Sequence, residues 1–144
     1  MPRANRRSTP ARAIVADRPM VIGIGLDLVE MARVERALER FGERFVQKLM
    51  DPEEARALPP AGPERARWLA LAVAGKEAAS KALGTGWSQG VRWRDVVVSI
   101  EPEARVRLDG RAAEVARELG SSGRGRVRLE IQGPLAVGEF WLLS

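Results

Sequence analysis

The residues of this sequence best suited to chemistry sit inside one apolar stretch. Trp68-Leu69-Ala70-Leu71-Ala72-Val73-Ala74 leads into Lys76, Glu77, Ser80 and Lys81, and Gly84-Thr85-Gly86 follows. Alanine and leucine form helix readily, so the stretch is expected to be helical, with Gly84 as its stop. Glu77 and Lys81 are then one turn apart on one face, and Lys76 and Ser80 form the adjacent row. On a solvated surface such a Glu-Lys pair contributes only about 0.2–0.5 kcal/mol. Beside a buried flank, the carboxylate needs a cation or a metal to offset its desolvation.

The absence of cysteine and histidine narrows the chemistry further. It removes thiolates, disulfides, Ser-His-Asp catalysis and most zinc sites, and it suits a cytoplasmic protein. Any metal must be held by oxygen, which points to magnesium, calcium or manganese. Magnesium is commonly held by one or two carboxylates, with water and phosphate oxygens completing its octahedron. Asp27 is the best second carboxylate, because it ends the strand expected to pack on this helix. Taken alone, Asp27 could equally cap the helix that follows. Lysines beside a metal neutralise phosphate charge, and a Gly-Thr-Gly backbone allows close approach. No Walker-type phosphate loop occurs.

The elements that must position these residues fit one domain of 144 residues. No apolar run approaches the roughly 20 residues of a membrane span. A net charge of +5 and a pI of 10.8 suggest a nucleic-acid binder. However, Arg3, Arg6, Arg7, Arg12 and Arg18 stand against the single acid Asp17 in residues 1–19. The basicity belongs mostly to that tail, which reads as disordered, or as lying ahead of a true start at Met20. The body from residue 20 onward is nearly neutral.

Residues 21–27 alternate β-branched residues with glycine and are expected to form a buried strand. A helix over 30–41 puts Met31, Val34, Leu38 and Phe41 on a core arc. Arg33, Arg36 and Arg40 share a second arc, and Glu35, Glu39 and Glu43 a third. The arginine stripe is either a landing strip for an acidic partner or an ordinary solvated face. Asp51-Pro52-Glu53-Glu54 has the form of a capped helix start. The long central helix is expected over 64–83, with strands at 96–100 and 105–108 after it. A helix over 110–119 and strands near 127–131 and 140–143 complete the chain. This order gives an α+β domain, a mostly antiparallel sheet packed on a long central helix.

Ile22-Gly23-Ile24-Gly25-Leu26-Asp27-Leu28-Val29-Glu30, with Arg33 beyond it, resembles the opening of the bacterial holo-acyl-carrier-protein synthases. These are small 4′-phosphopantetheinyl transferases. Gly75-Lys76-Glu77-Ala78-Ala79-Ser80-Lys81-Ala82-Leu83-Gly84-Thr85-Gly86 resembles their second signature, and both stand in the expected order and spacing. The resemblance covers residues 20–144 and implies the phosphopantetheinyl transferase fold. It implies transfer of the 4′-phosphopantetheine arm of coenzyme A to a serine of an acidic apo acyl carrier protein, releasing 3′,5′-ADP. By resemblance, Asp27 and Glu77 hold Mg2+, and Glu77 and Lys81 are catalytic. Lys76, Ser80, Lys81, Gly84, Thr85 and Gly86 would line the coenzyme A site. Arg33, Arg36 and Arg40 would meet the carrier protein. Either Glu77 or a metal-bound water would activate the serine hydroxyl. Members of this size form homotrimers, with each site shared between neighbouring subunits.

The sequence departs from the family pattern at three places. Ala72 stands where an arginine is frequent, and Ala79 where an aromatic residue is. Leu129-Glu130-Ile131-Gln132-Gly133 replaces a histidine-bearing segment. These changes leave the metal ligands intact and thin the expected coenzyme A contacts. Two other readings stay open: a non-catalytic relative that binds carrier protein or coenzyme A, and a nucleic-acid-binding module using the arginine tail. The near-neutral body counts against the second.

Overall fold

Alternating glycines and branched residues do produce the first strand, β1 (Val21–Glu30), in the computed structural model, which describes residues 18–144. Apart from Arg18 and Pro19, the expected basic tail lies outside the described residues. After β1 come α1 (Met31–Phe41), α2 (Glu43–Leu49), α3 (Pro52–Ala57) and the long α4 (Pro63–Leu83). A 3₁₀ turn at Trp93–Asp95 leads into β2 (Val96–Ser99) and β3 (Arg105–Leu108). The chain ends with α5 (Gly110–Glu118), β4 (Gly125–Gln132) and β5 (Leu135–Leu143). The class is α+β.

Two local expectations are corrected. β1 does not stop at Asp27, because Leu28 and Val29 continue the alternation, so Asp27 is a strand residue and not a helix cap. The N-cap position of α1 is Glu30, whose side chain makes no capping bond. The strands also form two sheets rather than one. β1, β5 and β4 pair antiparallel in that order, while β2 and β3 form a separate antiparallel hairpin.

The capped start of α3 is present in full. Asp51 accepts from the Glu54 backbone N–H at 2.9 Å, and Glu54 accepts from the Asp51 N–H at 3.1 Å. Gly84 closes α4 in the left-handed conformation, with φ of 78°.

The three-stranded sheet lies on α4 backbone to backbone. A Cβ on Gly25 would fall 1.7 Å from the Ala78 carbonyl oxygen, and one on Gly23 2.1 Å from that of Ala82. On β5, a Cβ on Gly138 would fall 2.3 Å from the Ala74 carbonyl oxygen. Gly138 is also the cross-strand partner of Asp27. Small residues on both sides therefore set the strand–helix spacing. Leu69, Phe140 and Leu142 are fully buried around this seam. Truncating a buried aromatic such as Phe140 costs about 3–5 kcal/mol.

The other face of the sheet is left uncovered. Ile24, Leu26 and Leu28 are 57%, 54% and 58% exposed, and Trp141 lies beside them, paired with Ile24. Among the described residues, no helix is long and apolar enough to cross a membrane.

Candidate functional site

Residue type and position bring Asp27 of β1 and Glu77 of α4 to one cavity. The cavity is about 630 Å³ and is also lined by Glu30, Arg33, Val73 and Lys81. The close strand–helix seam does this: Gly25 beside Ala78 fixes the height of Asp27 against the turn of α4 that carries Glu77 and Lys81. The Lys81 ammonium donates to Asp27 Oδ1 at 2.8 Å and to the Leu26 carbonyl oxygen at 3.1 Å. Its side chain is 51% exposed and that of Asp27 is 18% exposed, so the pair is open to solvent on the lysine side.

The electrostatics of the cavity favour an added cation. Burial pushes the Glu77 carboxyl above its ordinary range, and the negative charge of Asp27 adds to that push. The nearby Trp87 indole N–H and Lys81 ammonium act in the opposite direction. Lys81 itself is raised, mainly by its hydrogen bond to Asp27. Among the described residues, Trp87 Nε1 is the buried side-chain polar atom left without a hydrogen-bond partner. It approaches Glu77 without making a well-formed bond. The Trp87 ring stacks on Trp93, with centroids 3.9 Å apart. Trp87 was not singled out from the sequence, although its place directly after Gly86 was a usable signal.

The donors present are carboxylate oxygens, which suit a hard divalent cation such as Mg2+. Among the described residues no three acidic side chains converge as a metal-holding group. Asp27 and Glu77 would thus supply two ligands, leaving the remainder to water or phosphate oxygens.

Two residues expected at the coenzyme A site point elsewhere. Lys76 is fully buried, on the row of α4 beside that of Glu77 and Lys81. Its ammonium donates to Glu54 at 2.8 Å, to the Trp93 carbonyl at 3.0 Å and to the Val96 carbonyl. All three ammonium donors are therefore spent, and no phosphate can reach them. Ser80 is also fully buried, and its hydroxyl donates to the Glu77 carbonyl oxygen at 2.8 Å. Both expectations are corrected for the same reason: their row of α4 faces the core.

The Gly84-Thr85-Gly86 turn is better placed for an incoming ligand. Nothing lies within 4 Å of a Cβ built on Gly84 or Gly86, and the Gly86 N–H is held by the Ser80 carbonyl at 3.2 Å. The Thr85 hydroxyl is turned back onto the Gly86 carbonyl at 2.9 Å, so the backbone is the accessible part. Arg33, Arg36 and Arg40 are exposed on α1, and among the described residues none is in an ion pair. Arg33 also borders the Asp27–Glu77 cavity, which joins the arginine stripe to the site.

The three departures fall outside the Asp27–Glu77–Lys81 group. Ala72 lines a separate cavity of about 170 Å³ with Trp68 and Glu54. Ala79 is fully buried. Leu129 packs toward Gly75, where an added Cβ would meet it at 3.1 Å.

A family model described as the 4′-phosphopantetheinyl transferase superfamily matches residues 23–131. The holo-acyl-carrier-protein synthase of Methylobacterium sp. (strain 4-46) is 47% identical over 122 residues, 81% of this chain and 90% of that protein. The crystal structure of the holo-acyl-carrier-protein synthase of Neisseria meningitidis superposes with a TM-score of 0.73 at 29% identity. The match covers 87% of this chain and 99% of that one. The Bacillus anthracis synthase, solved in complex with CoA (3′,5′-ADP), gives a TM-score of 0.68 at 25% identity, covering 87% and 98%.

Proposed function

This chain belongs to the 4′-phosphopantetheinyl transferase superfamily, and on that premise we propose that it is a holo-acyl-carrier-protein synthase. It transfers the phosphopantetheine arm of coenzyme A to a serine of an apo acyl carrier protein and releases 3′,5′-ADP. The observation that carries this reading is the convergence of Asp27, Glu77 and Lys81 on one cavity beside an open Gly-Thr-Gly turn.

Asp27 and Glu77 would hold Mg2+, which when bound supplies positive charge at the pyrophosphate. Lys81 lies at the mouth of the cavity and neutralises charge on the departing 3′,5′-ADP. The Gly84-Thr85-Gly86 turn leaves open space for the phosphates at Gly84 and Gly86, whose N–H groups are themselves held by the Lys81 and Ser80 carbonyls. Either Glu77 or a metal-bound water would accept the serine proton. Arg33, Arg36 and Arg40, exposed and unpaired among the described residues, form the landing surface for the acidic carrier protein.

The chain acts as a homotrimer in the cytoplasm. Support for association comes from the uncovered apolar sheet face of Ile24, Leu26, Leu28 and Trp141, a surface of the kind that oligomers bury.

The test is to incubate the protein with apo carrier protein, coenzyme A and Mg2+ and weigh the carrier protein. Addition of the phosphopantetheine mass is expected, with losses of more than about 100-fold in Asp27→Asn and Glu77→Gln. No mass gain across several carrier proteins overturns the assignment. Full activity in both variants overturns the metal ligands.

A further inference from the structure

The two lysines of α4 are held in opposite ways. Lys76 has three acceptors and no exposure, so it is locked. Lys81 has two acceptors, Asp27 Oδ1 and the Leu26 carbonyl, and half of its side chain is in solvent. A contact of that kind breaks cheaply, and the four-carbon stem lets the ammonium move away.

Asp27 is also the carboxylate that the cation needs. A dication facing both Asp27 and Glu77 gains more Coulomb energy than a single ammonium on Asp27 alone. Two cations crowded onto one carboxylate repel each other at the same short range. Without any cation, Asp27 and Glu77 line one cavity, and the Lys81 ammonium on Asp27 Oδ1 is the positive charge seated there.

We propose that Lys81 and the divalent cation exchange places on Asp27. In the metal-free protein the ammonium keeps Asp27 neutralised. Cation binding releases it toward the phosphate oxygens of coenzyme A. This deepens the proposed function and rests on its assignment of Asp27 and Glu77 as metal ligands. Lys81 is therefore offered to substrate only once the cation is seated, which favours the order cation first, coenzyme A second. By linkage, coenzyme A must strengthen cation binding by the same factor.

The sequence makes the exchange directly observable, because Lys48, Lys76 and Lys81 are its only lysines. Mg2+ alone is titrated into the full chain while the Cε and Nζ lysine signals are followed by NMR. The Lys81 signal should shift as its bond to Asp27 breaks, with Lys48 and Lys76 unmoved. Calorimetry should show Lys81→Met binding Mg2+ roughly three- to tenfold more tightly than the native chain when coenzyme A is absent. The same variant should lose part of the Mg2+ dependence of coenzyme A binding.

A different pattern overturns the exchange and leaves the metal site standing. In it, Mg2+ binds and is lost in Asp27→Asn, but the Lys81 signal stays put and Lys81→Met binds no tighter. Mg2+ binding that survives both Asp27→Asn and Glu77→Gln overturns the metal assignment itself, and the exchange with it.

Discussion

Glu54 and Lys76 form an ion pair of 2.8 Å in which the side chains are 1% and 0% exposed. Every donor and acceptor of the pair is used. Glu54 also takes the Val98 N–H at 2.9 Å and closes the cap of α3, while Lys76 reaches the carbonyls of Trp93 and Val96. One node thus joins α3, the 3₁₀ turn, β2 and α4, one residue before Glu77. Burial pushes Glu54 up and Lys76 down, and the charge of each partner works against the other's shift.

Removing one member of this pair strands the other. Glu54→Leu or Lys76→Met should each lower unfolding stability by about 3–5 kcal/mol, and the double variant should recover much of that loss. Urea denaturation measures it. In the folded double variant the KM for coenzyme A should stay near that of the native chain. A large rise in KM there would mean that Lys76 meets phosphate after all.

Glu77 sets a sign for the pH dependence of cation binding. Its carboxyl keeps its proton to higher pH than an ordinary glutamate, whose reference value is 4.5. On the proposed assignment it is ionised and would hold the cation above the raised pKa, and would lose it below. On acidification, Mg2+ affinity should therefore begin to fall at a higher pH than an unperturbed glutamate would cause. Lys81→Met removes a charge that lowers this pKa and should move the midpoint higher still. Calorimetric titration over a pH series is the measurement, and a midpoint at or below the ordinary value contradicts the argument.

The arginine stripe should act on the carrier protein and not on coenzyme A. Arg36→Glu with Arg40→Glu is expected to raise the KM for carrier protein roughly tenfold at low salt, with the gap to the native chain narrowing as salt is added. The KM for coenzyme A should not change. Equal effects on both substrates would place the carrier protein elsewhere.

Leu26 is at the centre of the uncovered sheet face, between Ile24 and Leu28 along β1. Leu26→Arg should leave secondary structure intact and convert the proposed trimer to single chains, read by sedimentation. An unchanged trimer in that variant would rule out this face as the interface.

Much of this architecture could be read from local pattern. The α3 cap depends on residues three apart, and α4 on a run of helix formers closed by glycine. The meeting of Asp27 and Glu77 was legible because the strand that carries Asp27 was expected to pack on this helix, although Asp27 lies within that strand and not at its end. The direction of Lys76 was not legible, because α4 is buried almost all round and its polar positions do not mark one outward face. Its partner Glu54 already had a local role as a cap, so nothing in the sequence asked for a second one. Strand partners were likewise hidden: the apolar run of β2 and the alternation of β3 are the same whether they join the larger sheet or stand apart.

The glycine-to-alanine seam makes the gap between the two carboxylates a main-chain dimension. Side chains elsewhere in the core can be exchanged without lengthening or shortening it. Divergence can therefore rework the walls of this enzyme while the ruler that spaces Asp27 and Glu77 stays the same length.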